Sequence, residues 1–339
     1  MGLVDLRKDT KFAAGILQKR LFQCLLQLTN RCNMRCPFCD FWPNGAPRRE
    51  ELSAEEYGRI SEELAAMGTF LVSVEGGEPT LRPDLPRILQ ALARHHLPTL
   101  FTNGWYITRE SAKQLFDTGL THACVSIDYP EAGRHDRKRG LPGAFDRAVR
   151  ALEYFLAAAP RPHRQVHIMS ILMEDNWRDF PALLKLSGRL GVGHQVTLVS
   201  ATGYRRGHSD GLPPPEAASL LLELWQRHPH LRFFGEYFRK MRGFLAGERE
   251  ALPTCHAGEQ SFNIDHVGNV SPCIEKIDQP LGNVRNEPLS LILARLEGHR
   301  PALAGCQDCW TACRGLVQSL GQGGSPGAWV DLVTRMRSS

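Results

Sequence analysis

The stretch Phe22-Gln-Cys-Leu-Leu-Gln-Leu-Thr29, followed across Asn30 and Arg31 by Cys32-Asn-Met-Arg-Cys36-Pro-Phe-Cys39, sets a β-rich run directly before a loop that holds three cysteines. Outward from it, short β-rich runs at residues 70–75, 98–103, 121–128, 165–172 and 194–199 alternate with helical patterns. Each run precedes a helix or a helix-bearing loop, which predicts βα units around a parallel sheet. One helix opens at Ser53, where Glu56 completes a capping box and Tyr57, Ile60 and Leu64 recur at helical spacing. Another covers residues 143–159 and is stopped by Pro160, which lacks the N–H a helix needs. After Val199 the glycines at 203, 207 and 211 and the run Pro213-Pro-Pro215 mark a loop and then a helix reaching about His228.

The chain has 339 residues, 42% of them hydrophobic and 23% charged, enough to bury a large core with a smaller appendage. The apolar run at 21–28 is broken by Gln23 and Gln27 and is far shorter than the ~20 residues of a membrane span. With no export signal, a cytoplasmic protein without a membrane partner is expected. The net charge of +5 is spread out, with small clusters only at Arg205/Arg206 and at Arg239, Lys240 and Arg242. A nucleic-acid surface needs a denser basic patch with aromatic platforms, so no such partner is expected. Ten cysteines in a chain of this kind are read as metal ligands or redox groups rather than disulfides.

Three thiolates in one loop at a strand's C-terminal end form an incomplete set. A closed [4Fe-4S] site supplies four cysteines, so three leave one iron open to the amino and carboxylate groups of a small molecule, which points to catalysis. A zinc knuckle built on Cys36 and Cys39 is the alternative on spacing alone. Beyond the second strand lies Gly76-Gly77-Glu78-Pro79, where paired glycines permit a close backbone approach and a carboxylate can accept from an ammonium group. The third and fourth strands end in Thr102-Asn103-Gly104 and Ser126-Ile127-Asp128, polar groups at the rim where parallel α/β barrels bind ligands.

The C-x3-C-x2-C triplet with Phe38 before its last cysteine, together with Gly-Gly-Glu-Pro, resembles the radical S-adenosylmethionine (SAM) superfamily. The likeness covers nearly the whole chain, including Ser126-Ile-Asp128 followed by His135-Asp136 and Arg139-Gly140, similar to members with partial six-stranded barrels. It implies an α/β fold with a partial (β/α)6 barrel and a [4Fe-4S] cluster on Cys32, Cys36 and Cys39. It also implies a cofactor site in which Gly76, Gly77 and Glu78 hold the methionine amino group. Asn103 and Ser126 would contact the methionine or ribose, Arg139 would reach the carboxylate, and Phe38 and Asp128 would complete the site. Read as structure alone, Asn103 and Ser126 finish strands and Arg139 is a surface charge. The implied chemistry is reductive cleavage of SAM to methionine and a 5'-deoxyadenosyl radical that abstracts a hydrogen atom, with flavodoxin or ferredoxin as electron donor.

The C-terminal cysteines read Cys255-x12-Gly268-x4-Cys273, a gap, then Cys306-x2-Cys309-x3-Cys313. Five thiolates exceed what a second cluster needs. The pattern is similar to the SPASM extension and its shorter form, twitch, with Leu281-Gly-Asn283-Val284 resembling the segment after the hairpin there. The full SPASM pattern has a longer run and a further cysteine that this chain lacks. One auxiliary [4Fe-4S] cluster is therefore implied, on Cys255, Cys273, Cys306 and either Cys309, favoured by its C-x2-C spacing, or Cys313. A zinc ribbon from the same residues is the alternative. The expected division is an N-terminal extension at 1–21, a radical SAM core at 22–250 and an auxiliary-cluster domain at 251–339 with a hairpin near His266 to Asn269.

Strand alternation puts Gln27 and Thr29 opposite Cys24, which then packs under the helices. Cys124 shares a face with Ser126 and Asp128; it is either a core cysteine or a thiol that returns a hydrogen atom to a product radical. Glu75 shares parity with Ser73 and is a candidate substrate contact or base, with a paired carboxylate as the plain reading. The loop from Ser200 to Gly211, with Tyr204, Arg205 and Arg206, is a candidate substrate contact. The resemblance suggests two substrates: a ribosomally made peptide undergoing crosslinking, thioether formation or epimerisation, or a small polar metabolite, of sugar or aminocyclitol type, that is oxidised or rearranged. About 20 residues precede the barrel, too few for a leader-binding domain, so a peptide substrate implies a separate leader-peptide-binding partner. A non-catalytic iron–sulfur or zinc redox sensor is the reading from another class.

Overall fold

A computed structural model of the protein describes residues 3–160, 164–200, 211–248, 250 and 252–336. Six parallel strands form its centre: β1 Gln23–Thr29, β2 Leu71–Gly76, β3 Leu97–Thr102, β4 His122–Ser126, β5 Gln165–Leu172 and β6 Gly193–Leu198. They lie side by side in chain order. Each expected strand is present, with ends shifted by a residue or two. β4 stops at Ser126 because the Asp128 amide turns away to donate to His135 Nδ1 at 3.2 Å. Between strands run α2 Ala54–Met67, α3 Leu85–Ala93, α4 Arg109–Asp117, α5 Ala132–Arg139, α6 Ala144–Ala158 and α7 Phe180–Leu190. Both halves of the capping box at Ser53 are made.

The two faces of the sheet differ in chemistry. On the outer face Cys24, Leu26, Leu28, Val72 and Val74 meet Tyr57, Ile60, Leu64, Leu92 and Phe155 of the helices in one apolar core, the main source of stability in such a fold. Cys24 thus packs as a small hydrophobe. The inner face carries Gln23, Ser73, Glu75, Thr99, His122, Gln165, Gln195 and Thr197 around open space.

The barrel does not close. On the far side of β1 lies β7 Ser261–Ile264, parallel to it, and the sheet continues antiparallel through β8 Asn269–Ser271 and β9 Gly282–Asn283. The β7–β8 turn is the hairpin expected near His266 to Asn269; the Asp265 carboxylate accepts from the amides of Val267 and Asn269 at 3.0 and 2.8 Å. The sheet therefore runs unbroken across position 250. Two helices, α8 Pro215–Arg227 and α9 Gly235–Leu245, precede that crossing, and α10 Leu289–Ala304, α11 Ala312–Leu320 and α12 Pro326–Asp331 follow it. Arg285 reaches back to Glu56 at 2.7 Å and donates to the carbonyls of Glu50 and Glu51, fastening this C-terminal part to the start of α2.

The N-terminal extension is α1 Leu3–Leu17. Its Phe12 and Ile16 are buried, Phe12 edge-on to Phe22 at 6.0 Å, and Lys8 Nζ donates to the Ala93 carbonyl at 3.0 Å. Among the described residues no helix is long and apolar enough to cross a membrane. Residues 201–210, most of the rim loop singled out as a substrate contact, lie outside the described residues.

Candidate active site

Inside the barrel a cavity of about 480 Å³ extends from the cysteine loop at the C-terminal strand ends to the N-terminal ends, where Asp9, Phe12, Leu332 and Met336 cover it. Cys32, Cys36, Phe38, Cys39, Glu75, Gly76, Gly77, Asn103, Ser126 and Arg139 all line it. Residues drawn from four separate strand ends are thus brought together at one rim.

The cysteine loop is held in shape by its neighbours. Arg35 donates its amide to the Arg139 carbonyl at 3.1 Å, and Arg31 forms a two-pronged pair with Glu51, 3.0 Å on each prong. Thr29 Oγ1 also bonds Glu51. Arg82, stacked on Tyr57, donates to the carbonyls of Leu28 and Leu52 at 2.9 and 2.7 Å. Glu51 and Arg82 thus buttress the end of β1; neither carries a local sequence signal, since the segments they act on lie 20 and 54 residues away.

Glycines 76 and 77 are required for a reason of space. A Cβ on Gly76 would collide with the Thr29 carbonyl and one on Gly77 with the Arg31 carbonyl, and Gly76 has φ +132°. The Gly77 and Glu78 amides donate to those same carbonyls at 2.6 and 2.9 Å, docking the turn on the cysteine loop. Glu78 departs from expectation. Fully buried and absent from the cavity wall, its carboxylate accepts from Thr80 N, Thr102 Oγ1 and Asn103 N at 3.0, 2.7 and 2.7 Å. It ties β2's turn to the end of β3, and the backbone of Gly76 and Gly77 is what faces the cavity. Burial raises its pKa, and these donors oppose the rise.

Arg139 is not a surface charge. It is buried, pairs with the fully buried Asp128 at 2.5 Å, lies 5.4 Å over the Phe38 ring and points one guanidinium nitrogen at Cys36 Sγ, 3.9 Å away. Burial works against its charge, but Asp128 and Cys36 hold its pKa above the usual arginine value. Asp128 sits behind Arg139 rather than on the cavity wall and holds that side chain. Cys124 is also off the wall, fully buried with its Sγ 3.7 Å from Gln195 Oε1. Asn103 Nδ2 donates to Asn33 Oδ1 at 2.8 Å and lies 3.9 Å from Cys32 Sγ.

The donor set suits a cluster of iron and sulfide. Burial pushes the Cys32 thiol up to about 12, against the Met34 amide, and Cys36 up to about 11, against Arg139. Bare thiols here stay protonated near neutrality, whereas bound metal draws off the proton. The Met34 amide, 3.4 Å from Cys32 Sγ, and Arg139 supply N–H groups to the sulfurs, a tuning contact for such centres.

A second, smaller cavity of about 40 Å³ is lined by Cys255, Cys273, Cys306, Cys309 and Cys313, with Lys276, Asp308 and Arg314 at its edge. No cysteine forms a disulfide. Burial raises the thiols of Cys273, Cys306 and Cys309, the last to about 12. The chemistry again fits a set of sulfur ligands for iron. Sequence reasoning did not reach Met169, Ile171, Gln195, Thr197 and Thr311 of the main cavity, although the period-two alternation of β5 and β6 that brings four of them inward is readable.

Comparison with known proteins agrees with this geometry. The Radical SAM superfamily profile matches residues 26–187, and the SPASM iron-sulfur cluster-binding domain matches residues 255–310. The AdoMet-dependent heme synthase of Nitratidesulfovibrio vulgaris is 26% identical over 294 residues, 81% of this chain and 79% of that one. The mycofactocin maturase MftC of Mycobacterium tuberculosis is 30% identical over 250 residues, 73% of this chain and 63% of that one. Streptococcus suis SuiB, solved with the precursor peptide SuiA bound, superposes with a TM-score of 0.66 at 17% identity, over 95% of this chain and 80% of SuiB. The chain belongs to the radical SAM superfamily and carries a SPASM domain: it is an enzyme whose cofactors are a SAM-binding [4Fe-4S] cluster and auxiliary iron–sulfur, with SAM as cosubstrate.

Proposed function

We propose that this enzyme matures a ribosomally synthesised peptide by radical chemistry, abstracting a hydrogen atom from a side chain or backbone carbon held in the barrel. The observation that carries the reading is a shared wall: Glu275, Thr311 and Cys313 line both the main cavity and the auxiliary one. A substrate in the barrel is therefore adjacent to both metal centres, as an oxidative crosslink requires. The mycofactocin maturases among the relatives, and the bound precursor peptide in a fold like this one, support a peptide.

When bound, the first cluster supplies the electron that splits SAM into methionine and a 5'-deoxyadenosyl radical. Cys32, Cys36 and Cys39 would hold it; the Gly76–Gly77 backbone, Asn103 and Ser126 would seat SAM. Arg139, kept charged by Asp128, orders Phe38 and the Cys36 end of the loop. The covers at the N-terminal end, Phe12 and Met336, exclude water from a radical. Glu75, on the wall beside Gly76, would take a proton from the oxidised substrate. Cys255, Cys273, Cys306 and Cys309 would hold one auxiliary cluster.

A second reading, radical oxidation of a small molecule, is favoured by the heme synthases among the relatives, one of which is matched over 79% of its own length. Anaerobic reconstitution followed by dithionite and SAM tests both. The account expects about eight irons per chain, release of 5'-deoxyadenosine, and a mass loss on a precursor peptide encoded beside the gene. A mass loss on a heme precursor, with none on the peptide, replaces the first reading by the second. No 5'-deoxyadenosine at all contradicts both.

A further inference from the structure

The auxiliary cavity has one sulfur too many. A [4Fe-4S] cluster takes four protein ligands, and five cysteines line the space. We infer that Cys313 is the surplus thiol, that it faces the reaction cavity between the two metal sites, and that it touches the substrate there. The inference rests on the auxiliary cluster belonging to the reading above and goes beyond it in assigning this residue.

Two independent observations separate Cys313 from the other four. It alone of the five lines the main cavity as well as the auxiliary one. Finally, Cys313 packs on the small apolar cluster of Leu25, Phe41, Ile274 and Ile277, the same cluster that Cys39 of the first site packs on. It therefore stands on the partition between the two centres, at the first turn of α11.

The chemical consequence is a soft, polarisable side chain beside the carbon that carries the radical, able to contact it and to exchange its proton with the cavity. It would react with a small electrophile admitted to that cavity while the four ligand sulfurs are covered by metal.

The test uses the reconstituted full chain. Cys313→Ala should keep the parent's iron and sulfide content and its auxiliary electron paramagnetic resonance signal, whereas Cys309→Ala should lose about four irons per chain. In the loaded parent, iodoacetamide under anaerobic conditions should alkylate Cys313 and leave Cys255, Cys273, Cys306 and Cys309 unmodified by mass spectrometry, and the peptide substrate should protect it. Loss of about four irons in Cys313→Ala, alkylation of Cys309 in place of Cys313, or no label on Cys313 at full iron load each overturns the inference. These readouts do not depend on turnover. Failure of the peptide reading shows separately, as a parent enzyme that releases 5'-deoxyadenosine but leaves the peptide unchanged, in which case protection is sought with the small-molecule substrate.

Discussion

A buried ion pair is what lets Arg139 stand beside Cys36. Arg139 and Asp128 are both shielded from water, and each would be an uncompensated charge without the other. Arg139→Gln should therefore destabilise the fold by about 3–5 kcal/mol, read as a lower urea midpoint, and Asp128→Asn in the same chain should recover part of the loss. Additive losses would show that the pair does not act as a unit. Replacing any one of Cys32, Cys36 or Cys39 by Ala should remove about four irons per chain and abolish 5'-deoxyadenosine release; the auxiliary signal should survive. The three cysteines were legible because a C-x3-C-x2-C loop after a strand needs no partner elsewhere in the chain. The parts of Glu78 and Asp128 were not, because each is fixed by residues remote in sequence: Thr102 and Asn103 for the one, Arg139 for the other.

Turns and strands carry the geometry at the next scale up. The Gly76–Gly77 turn fits against Thr29 and Arg31 only while both positions lack a side chain. Gly77→Ala should weaken SAM binding by at least tenfold, ~1.4 kcal/mol, in equilibrium dialysis of the unreduced protein, with far-ultraviolet circular dichroism unchanged; unaltered affinity would place SAM elsewhere. The six barrel strands were readable from β-rich runs between helical patterns, and α2 from its capping box, since both signals are local. The parallel pairing of β7 with β1 was not, because Ser261–Ile264 is four residues long and its partner lies more than 200 positions earlier. The plug formed by α1 escaped notice for a related reason: Phe12 and Asp9 reach the cavity only through tertiary packing.

Over the whole molecule, neutral buried histidines set the acid limit. Burial lowers His96 to about 4, His135 to about 2 and His194 to about 3, from an ordinary 6.5. Between 6.5 and those values the unfolded chain binds protons that the folded one refuses, so stability falls as pH falls through that window, by up to about 1.4 kcal/mol per pH unit for each histidine. Urea midpoints at pH 7.5 and 5.5 should show this drop, and His194→Asn should flatten it; a midpoint independent of pH would contradict the assignment. At the same scale, an open barrel, two sulfur-lined cavities and their common wall converge on one account, in which the first cluster keeps an iron open for SAM. The most direct test is the electron paramagnetic resonance spectrum of the dithionite-reduced Cys309→Ala protein, in which the first cluster is the remaining paramagnet, recorded without and with SAM. The account predicts that SAM shifts the signal; an identical spectrum would mean that the iron is already fully ligated and would contradict it.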